Sequence, residues 1–331
     1  MNAYQIIGVV VAGVLAAAAI GATAQALAVR RDRRRFPPPG ALVDVGGHRL
    51  HLTVRGEPTA APTVVLEAGM ASMSSNWGWV RAALAHDGRV VAYDRAGLGW
   101  SDDGTPARDA ATSADELHTA LGAAGVGPPY VLAGHSYGGL VSRMFADRYP
   151  AEVAGMVLVD ASHPDQWAHI PASRDGRTVA LGNRVTAALA GLGLLRLFRA
   201  ERSFIDGLPA REYAEMRAYL AGPRGWRAGA DGLLAWGRQS RAQVGAARPL
   251  GALPLVVLSV TEQDRYADVL TGLQAELASL SANSRHVTVA GATHYTLVSR
   301  REHADVVTGA IRAVVAAARS GGAVAVVSAR P

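Results

Sequence analysis

Residues 130–150 read YVLAGHSYGGLVSRMFADRYP, and the rest of the chain is interpreted outward from this stretch. A short apolar run leads into glycines that surround Ser136, and a helical pattern follows. Strand, sharp turn and helix in this order would hold the Ser136 hydroxyl beyond the carboxyl end of a parallel strand, where open α/β sheets carry their sites. Gly134 and Gly138 suit such a turn because the residues two before and two after the serine come close together. A serine that only caps a helix is the alternative, so partner residues must decide.

Apolar runs alternate with helical patterns on both sides of this turn. Because the runs are bounded by glycine and separated by helices, they predict an α/β fold with a mostly parallel sheet that helices cover on both faces. The alternation stops near residue 162 and resumes near residue 252, so the helical block between them is interpreted as a cap inserted over the sheet. The predicted strands are residues 47–54, 63–67, 89–93, 130–133, 154–159, 253–260 and 285–289, and the predicted helices are residues 113–124, 136–148, 267–281 and 301–318.

Composition limits the chemistry that the chain can carry. The chain has 331 residues, half of them hydrophobic, and no cysteine. The lack of cysteine excludes disulfides, thiolate metal ligands and a cysteine nucleophile. All 33 basic residues are arginine, and the run at residues 30–35 supplies +4 of the net charge of +6. Because that run adjoins an apolar segment and has no interleaved aromatic residues, no nucleic-acid surface is predicted.

Residues 6–29 form an apolar segment without a charged side chain, and Thr23 and Gln25 are its only clearly polar members. As a helix the segment would be about 36 Å long, more than the roughly 30 Å of a bilayer's hydrocarbon core. The arginine run follows it, so the positive-inside rule predicts a membrane anchor with a cytoplasmic catalytic domain. A cleaved signal peptide of a secreted or extracytoplasmic protein is the alternative, but the basic n-region and the short apolar core of such a peptide are missing.

A serine nucleophile needs a base and an acid that orients the base. Among ten histidines, His294 follows the last predicted strand and so lies at the carboxyl edge of the sheet, as Ser136 does. The acid is expected between serine and histidine in the chain. The first choice is Asp264, after the strand at residues 253–260, and the alternatives are Glu262, Asp268 and Asp160.

Two backbone N–H groups are expected to stabilise the oxyanion that such a serine generates. One is that of Tyr137, at the start of the helix that follows the serine. The other is that of Met70, in the loop after the strand at residues 63–67, where Gly69 permits close approach of the backbone. The histidines and carboxylates lack the spacing of a zinc site, so no metal is predicted.

Ser136, Asp264 and His294, in this order and at these strand ends, resemble the α/β-hydrolase fold superfamily of esterases, lipases and peptidases. Residues 93–101, YDRAGLGWS, are similar to the D-x-x-G-x-G-x-S turn after the fourth strand of that superfamily, and the resemblance covers about residues 43–318. In one departure, the usual His-Gly after the third strand is Ala68-Gly69 here. In another, the loop at residues 261–264 lacks the usual glycine.

The resemblance implies a serine hydrolase that cleaves a carboxylic ester, lipid-like esters included, through an acyl-enzyme intermediate. It implies a small-molecule acyl substrate and no organic cofactor. Superfamily members that open epoxides carry aspartate at the nucleophile position, where this chain has Ser136. Hydrolysis of amides, thioesters or carbon–carbon bonds remains an alternative, as does a non-catalytic, membrane-tethered ligand-binding protein.

The predicted organisation has an anchor, a core in two pieces and a cap. The ranges are a transmembrane anchor at residues 1–29, a basic and proline-rich linker at 30–40, a hydrolase core at 41–161 and 252–319, a helical cap at 162–251 and a flexible tail at 320–331.

The predicted orientation is tested with a reporter enzyme that is active only outside the cytoplasm, fused after Pro331. The arginine run should keep the fused reporter inactive, while the same reporter before Met1 should be active. Activity of the C-terminal fusion alone would reverse the orientation.

Overall fold

A computed structural model describes residues 2–59, 62–104, 108–169, 176–199, 201–261 and 266–328. One eight-stranded sheet has the order β1-β2-β4-β3-β5-β6-β7-β8; β1 and β2 run antiparallel, and the pairs from β4 to β8 are parallel. This arrangement confirms the predicted sheet. The strands are β1 Ala41–Asp44, β2 Arg49–Arg55, β3 Thr63–Glu67, β4 Val90–Asp94, β5 Tyr130–His135, β6 Val153–Val159, β7 Leu255–Val260 and β8 Ser284–Val289.

Helices of the described residues cover both faces of the sheet and its carboxyl edge. Those of the N-terminal half are α1 Ala3–Arg35, α2 Gly78–Leu84, α3 Ala110–Ala123, α4 Gly138–Arg148, α5 Gln166–His169 and α6 Gly176–Gly191. Those of the C-terminal half are α7 Leu194–Phe198, α8 Arg202–Ile205, α9 Ala210–Leu220, α10 Pro223–Ala235, α11 Arg241–Gly245, α12 Ala267–Ser279, α13 Thr296–Ser299 and α14 Arg301–Ser320.

The strands alternate their side chains between two apolar layers. On β3, Val65 packs in the layer with α3 and α4, whereas Val64 and Leu66 pack in the layer with α2 and α14. Every residue of β3, β4, β5 and β7 is buried. Continuous burial explains why these strands are uninterrupted apolar runs in the sequence. The sheet is therefore rigid where its carboxyl edge meets the cap.

The cap consists of α5 to α11, between β6 and β7. It has its own small core, in which Met73 from the sheet domain meets Ile205, Met216 and Leu220. Small residues bring α10 close to its neighbours: a Cβ at Gly229 would lie 2.7 Å from the Cβ of Ala71. The cap is thus packed onto the carboxyl edge that carries Ser136.

Some elements differ from those expected. The four-residue β1 and the short α2 were not predicted, because each is too short to show a periodic pattern. Helix α1 continues through the arginine run to Arg35, so that run is helical. Beyond α14, Val324 is buried and its N–H donates to Asn283 Oδ1 at 2.9 Å. This contact holds the first part of the predicted tail against the edge of the sheet.

Helix α1 is the one helix of the described chain that is long and apolar enough to cross a membrane. Its 33 residues have a mean hydropathy of 2.4 over the most apolar window of 18.

Candidate active site

Ser136 lies in the turn between β5 and α4 with a left-handed backbone, φ 56°. Such a conformation costs a residue other than glycine about 1–3 kcal/mol, so the surroundings must enforce it. The Ser136 N–H donates to the carbonyl of Val159 at 3.2 Å, and the Ser162 N–H donates to the Ser136 carbonyl at 3.0 Å. Two backbone bonds to the chain around the end of β6 thus hold the serine at the carboxyl edge of the sheet.

The glycines around Ser136 allow backbone segments to touch. A Cβ at Gly134 would lie 2.6 Å from the carbonyl oxygen of Gly138, and a Cβ at Gly138 would lie 2.4 Å from that of Glu67. No side chain fits at either distance, because real Cβ contacts are longer than 3.0 Å. The turn therefore packs directly on the end of β3.

His294 lies in the loop between β8 and α13, and a carboxylate contacts its ring. The His294 Nδ1 is 2.5 Å from Asp160 Oδ2. Asp160 follows β6, has a side chain that is 10% exposed, and has a left-handed φ of 42°. Burial by itself would raise the pKa of the Asp160 carboxyl, but the hydrogen bond and the positive charge of His294 outweigh burial and leave that pKa below its usual value. An ionised Asp160 accepts from Nδ1–H, which makes Nε2 the ring nitrogen that can act as a base.

The structure places the acids named from the sequence differently, and two of them lie outside the described residues. Asp264 and Glu262 lie outside the described residues, so their positions stay predictions. Asp268 is in the first turn of α12 and is not among the described residues that line the cavity beside Ser136. Asp160, an alternative in the sequence, is the described carboxylate in contact with His294. Chain order could not rank Asp160 against Asp264, because each follows a predicted strand that ends at the same edge.

The loop after β3 lies against the nucleophile. A Cβ at Gly69 would be 3.2 Å from the Cβ of Ser136 and 3.2 Å from Nδ1 of His135. Within the described chain, the N–H groups of Met70 and Tyr137 have no hydrogen-bond acceptor. Both amides are therefore free to bind an oxygen that develops charge beside Ser136.

A buried arginine positions this loop, and sequence reasoning missed it. Arg95 donates to the carbonyl oxygens of Ala68 and Gly69 and pairs with the Glu67 carboxylate, which also accepts from the hydroxyl of Tyr93. With the Gly69 carbonyl fixed by Arg95, the peptide that carries the Met70 N–H has one orientation. The sequence does place Arg95 inside the turn YDRAGLGWS, but an arginine in a turn is normally expected at the surface.

The aspartate of the same turn fixes the chain that follows. Asp94 accepts from the N–H groups of Ser74 at 2.6 Å and Trp100 at 3.0 Å, and it pairs with the ring of His51 at 2.8 Å. A Cβ at Gly99 would lie 2.2 Å from the Asp94 carboxylate, so glycine is required there. This turn therefore supports both ends of the loop that carries Met70.

A cavity of about 390 Å³ lies between the sheet and the cap. Ser136, His294, Asp160 and Met70 all line it. Among the described residues that line the cavity, Asp160 is the one carboxylate and there is no arginine. This lining suits a neutral ligand. The described residues contain no group of three or more His, Asp or Glu placed to hold a metal ion. Aromatic and aliphatic side chains make up much of the wall: Trp167, Trp226, Trp236, Phe204, Met216, Leu220 and Leu233.

The histidine that precedes the serine stays neutral. His135 Nε2 donates to the His294 carbonyl at 2.9 Å, which positions the loop of His294. Burial, and then the nearby charge of His294, lower the pKa of His135 to about 3. Its ring therefore has no part in proton transfer near neutral pH.

This buried neutral histidine predicts a loss of stability in mild acid. Below pH 6.5 the unfolded chain protonates His135 and the folded protein does not, so the unfolded state binds more protons and stability falls with pH down to about 3. The loss amounts to about 2 kcal/mol between pH 7 and 5. His135→Gln keeps a donor for the His294 carbonyl and should show a smaller drop in Tm from pH 7 to pH 5, measured in detergent. Equal drops in both proteins would show that His135 is not held neutral.

Known proteins resemble this chain in sequence and fold. The profile of the alpha/beta hydrolase fold matches residues 62–300. A protein of Gibberella zeae named as an AB hydrolase superfamily protein is 31% identical over 154 residues, which are 44% of this chain and 45% of that protein. The chain spans less than half the length of the curated relatives it matches.

Solved structures match a larger part of this chain than the curated relatives do. A thermophilic esterase from Thermogutta terrifontis, solved with malate bound, has a TM-score of 0.61 at 22% identity, covering 84% of this chain and 98% of that chain. The epoxide hydrolase CorEH has a TM-score of 0.60 at 20% identity, covering 78% of this chain and 92% of that chain. At these identities the likeness shows the fold. Since the family profile spans well over half of the chain, this protein belongs to the α/β-hydrolase fold family.

Proposed function

We propose that the protein is a serine hydrolase that cleaves a carboxylic ester of a neutral, largely apolar small molecule. The observation that carries this proposal is the meeting of Ser136, on its strained turn, with His294 and the Met70 loop around one apolar cavity. Strained backbone conformations cluster at active sites. They persist only where the surrounding structure supplies the energy that holds the strained residue.

In the proposed mechanism, His294 Nε2 takes the proton of the Ser136 hydroxyl, and Ser136 Oγ attacks the ester carbonyl. The Met70 and Tyr137 amides bind the oxyanion, and removal of one such donor typically costs 10²–10³ in rate. Asp160 holds the His294 ring by its 2.5 Å contact and stabilises the imidazolium. The protonated His294 then gives its proton to the leaving alcohol, and water attacks the acyl-enzyme with His294 again as the base.

The identity of the nucleophile supports ester hydrolysis over the opening of epoxides. Several structural neighbours are titled epoxide hydrolases, but the resemblance drawn from the sequence assigns aspartate to the nucleophile position of such enzymes. This chain has Ser136 there, whose hydroxyl needs the base that His294 provides. Amides and thioesters would use the same groups, so a panel of ester, amide and thioester substrates of one acyl chain decides among them.

We also propose that α1 anchors the protein in a membrane and that the arginine run lies on the cytoplasmic side. Residues 6–29 of α1 are long enough to cross the hydrocarbon core, and Arg33, Arg34 and Arg35 form its last turn. Thr23, a polar residue within this segment, donates its hydroxyl to the Ala19 carbonyl at 2.8 Å, so its polar group is satisfied within the helix.

The nucleophile is tested by labelling the full chain in detergent with a fluorophosphonate. The wild type should label and Ser136→Ala should not, and kcat for an activated ester should fall by about 10⁶ or to background. Ser162→Ala is the matched control, because Ser162 is a buried serine of the same cavity. Labelling of Ser136→Ala at the wild-type rate, or no labelling of the folded wild type, would contradict the proposal and favour a ligand-binding protein.

The acid is tested by comparing Asp160→Asn with Asp264→Asn. If Asp160 orients His294, Asp160→Asn should lower kcat by about 10³–10⁴, since the amide favours the wrong tautomer of the ring. Asp264→Asn should lower kcat by less than about tenfold, the rough limit for a residue outside the acid–base relay. The reverse result would restore Asp264, the first choice from the sequence.

A further inference from the structure

The cap helix α6 buries small side chains and exposes large apolar ones, the reverse of a helix in an ordinary soluble domain. Its buried side chains are small, with Ala180, Ala187 and Ala190 at 0–2% exposure. Its large apolar side chains point outward, with Leu181 at 63% and Val185 at 52% exposure. A helix that packs only against its own protein buries its large apolar residues instead. The outer side of α6 therefore suits an apolar environment.

Large apolar residues recur along the exposed side of α6, beside the exposed Arg177 and Arg184. Leu181, Val185 and Leu189 recur at intervals of four residues and so lie on one stripe of α6, and Leu192 directly follows the end of the helix. The stripe continues into α7, where Leu197 is 71% and Phe198 is 74% exposed. Contiguous apolar surface of this kind marks an interaction site. The cap apolar face is defined here as Leu181, Val185, Leu189, Leu192, Leu197 and Phe198.

Helix α1 lies beside the cap apolar face. A Cβ at Gly21 would be 2.6 Å from the carbonyl oxygen of Leu192, so the two backbones touch. Gln25 is buried in this contact: its amide donates to the Ala221 carbonyl at 2.7 Å, and Arg196 donates to its side-chain oxygen at 3.2 Å. Arg196 also pairs with Asp32 at 2.7 Å. These bonds satisfy the one large polar side chain of the apolar segment and fix the cap to the helix.

The length of α1 sets the depth of the cap. Residues 3–17 are exposed on all sides and extend about 22 Å, and the contacts with the cap begin at Ala18. Residues 18–29 add about 18 Å of the apolar segment, more than half the thickness of a hydrocarbon core of about 30 Å. With residues 6–29 across the bilayer, the cap beside residues 18–29 must lie within the leaflet next to the arginine run.

We propose that the cap apolar face inserts into the acyl chains of that leaflet and that the enzyme takes its ester from the bilayer. This inference rests on the proposed hydrolase and names its substrate class: a neutral ester with a long acyl chain, held in the membrane. The partner that covers the face is lipid. An apolar face continuous with the apolar surface of α1 meets the same acyl chains that surround α1.

The same helix connects this surface with the cavity. Val179 and Asn183 of α6 line the cavity that contains Ser136, and Val179 is also 37% exposed. One helix therefore separates the acyl chains of the leaflet from the nucleophile. An acyl chain that passes α6 stays in apolar surroundings up to the cavity wall, so little free energy is lost by leaving the bilayer.

The placement of the cap is tested by a depth measurement that does not depend on activity. Because the chain lacks cysteine, Leu189→Cys takes a single nitroxide label in the full protein, reconstituted in phosphatidylcholine vesicles. The label should collide more often with dissolved oxygen than with a water-soluble nickel chelate. Ser279→Cys, exposed at the end of α12 and close in the chain to the start of β8, should show the reverse. A label at residue 189 that behaves like the one at 279 would overturn the proposal, and one shielded from both reagents would show a protein partner or a second copy instead.

The use of bilayer substrate is tested with Leu181→Gln, Val185→Gln and Leu189→Gln combined. The triple variant should lose about tenfold or more in rate on a long-chain ester carried in vesicles and stay within about twofold on a water-soluble short-chain ester. The control combines Val54→Gln and Val326→Gln, two exposed apolar residues outside the cap, and should match the wild type on both. Equal loss on both substrates would overturn bilayer access. Inactivity of the wild type on both would refute the hydrolase, while the label at residue 189 would still decide where the cap lies.

Discussion

The crowded turn at Ser136 is the constraint on which the rest of the site depends. Gly134, Gly138 and the end of β3 approach to distances that no side chain tolerates, and Ser136 itself carries a left-handed backbone. The free energy that holds this turn comes from the buried strands on either side of β5 and from bonds to the chain around the end of β6. Everything with a proposed chemical role is placed relative to it: the Met70 loop touches the serine, and His135 fixes the loop of His294.

Much of this could be predicted from the sequence, for reasons that differ from part to part. Buried parallel strands are continuous apolar runs, and the glycines around Ser136 have few uses other than a tight turn. The position of His294 followed from the end of one strand. The acid did not follow, because Asp160 and Asp264 each come after a strand and only the path of the loop decides which carboxylate reaches the ring. Arg95 was missed since its partners, Glu67 and the carbonyls after β3, are brought together by strand pairing alone.

The cap shows where pattern analysis reaches its limit. The run at residues 185–198 is visibly apolar, but composition does not say which side of a helix faces the protein. Only the packing of Ala180, Ala187 and Ala190 toward α10 reveals that the large side chains point away. The contact of α1 with the cap is likewise invisible in the sequence, since Gly21 and Gln25 lie more than 170 residues from the groups they meet. A polar residue inside an apolar segment was the one available sign of it.

Gln25 also decides how freely the proposed anchor α1 could be exchanged. Its amide is matched to the Ala221 carbonyl and to Arg196, so the first helix and the cap form one interlocked unit. A helix borrowed from an unrelated membrane protein would tether the enzyme but would leave Ala221 and Arg196 without their partner. Such a chimaera would rotate freely about its tether, and its entrance would face water as often as lipid. In the proposed membrane arrangement, α1 therefore sets the direction of the cap as well as its location.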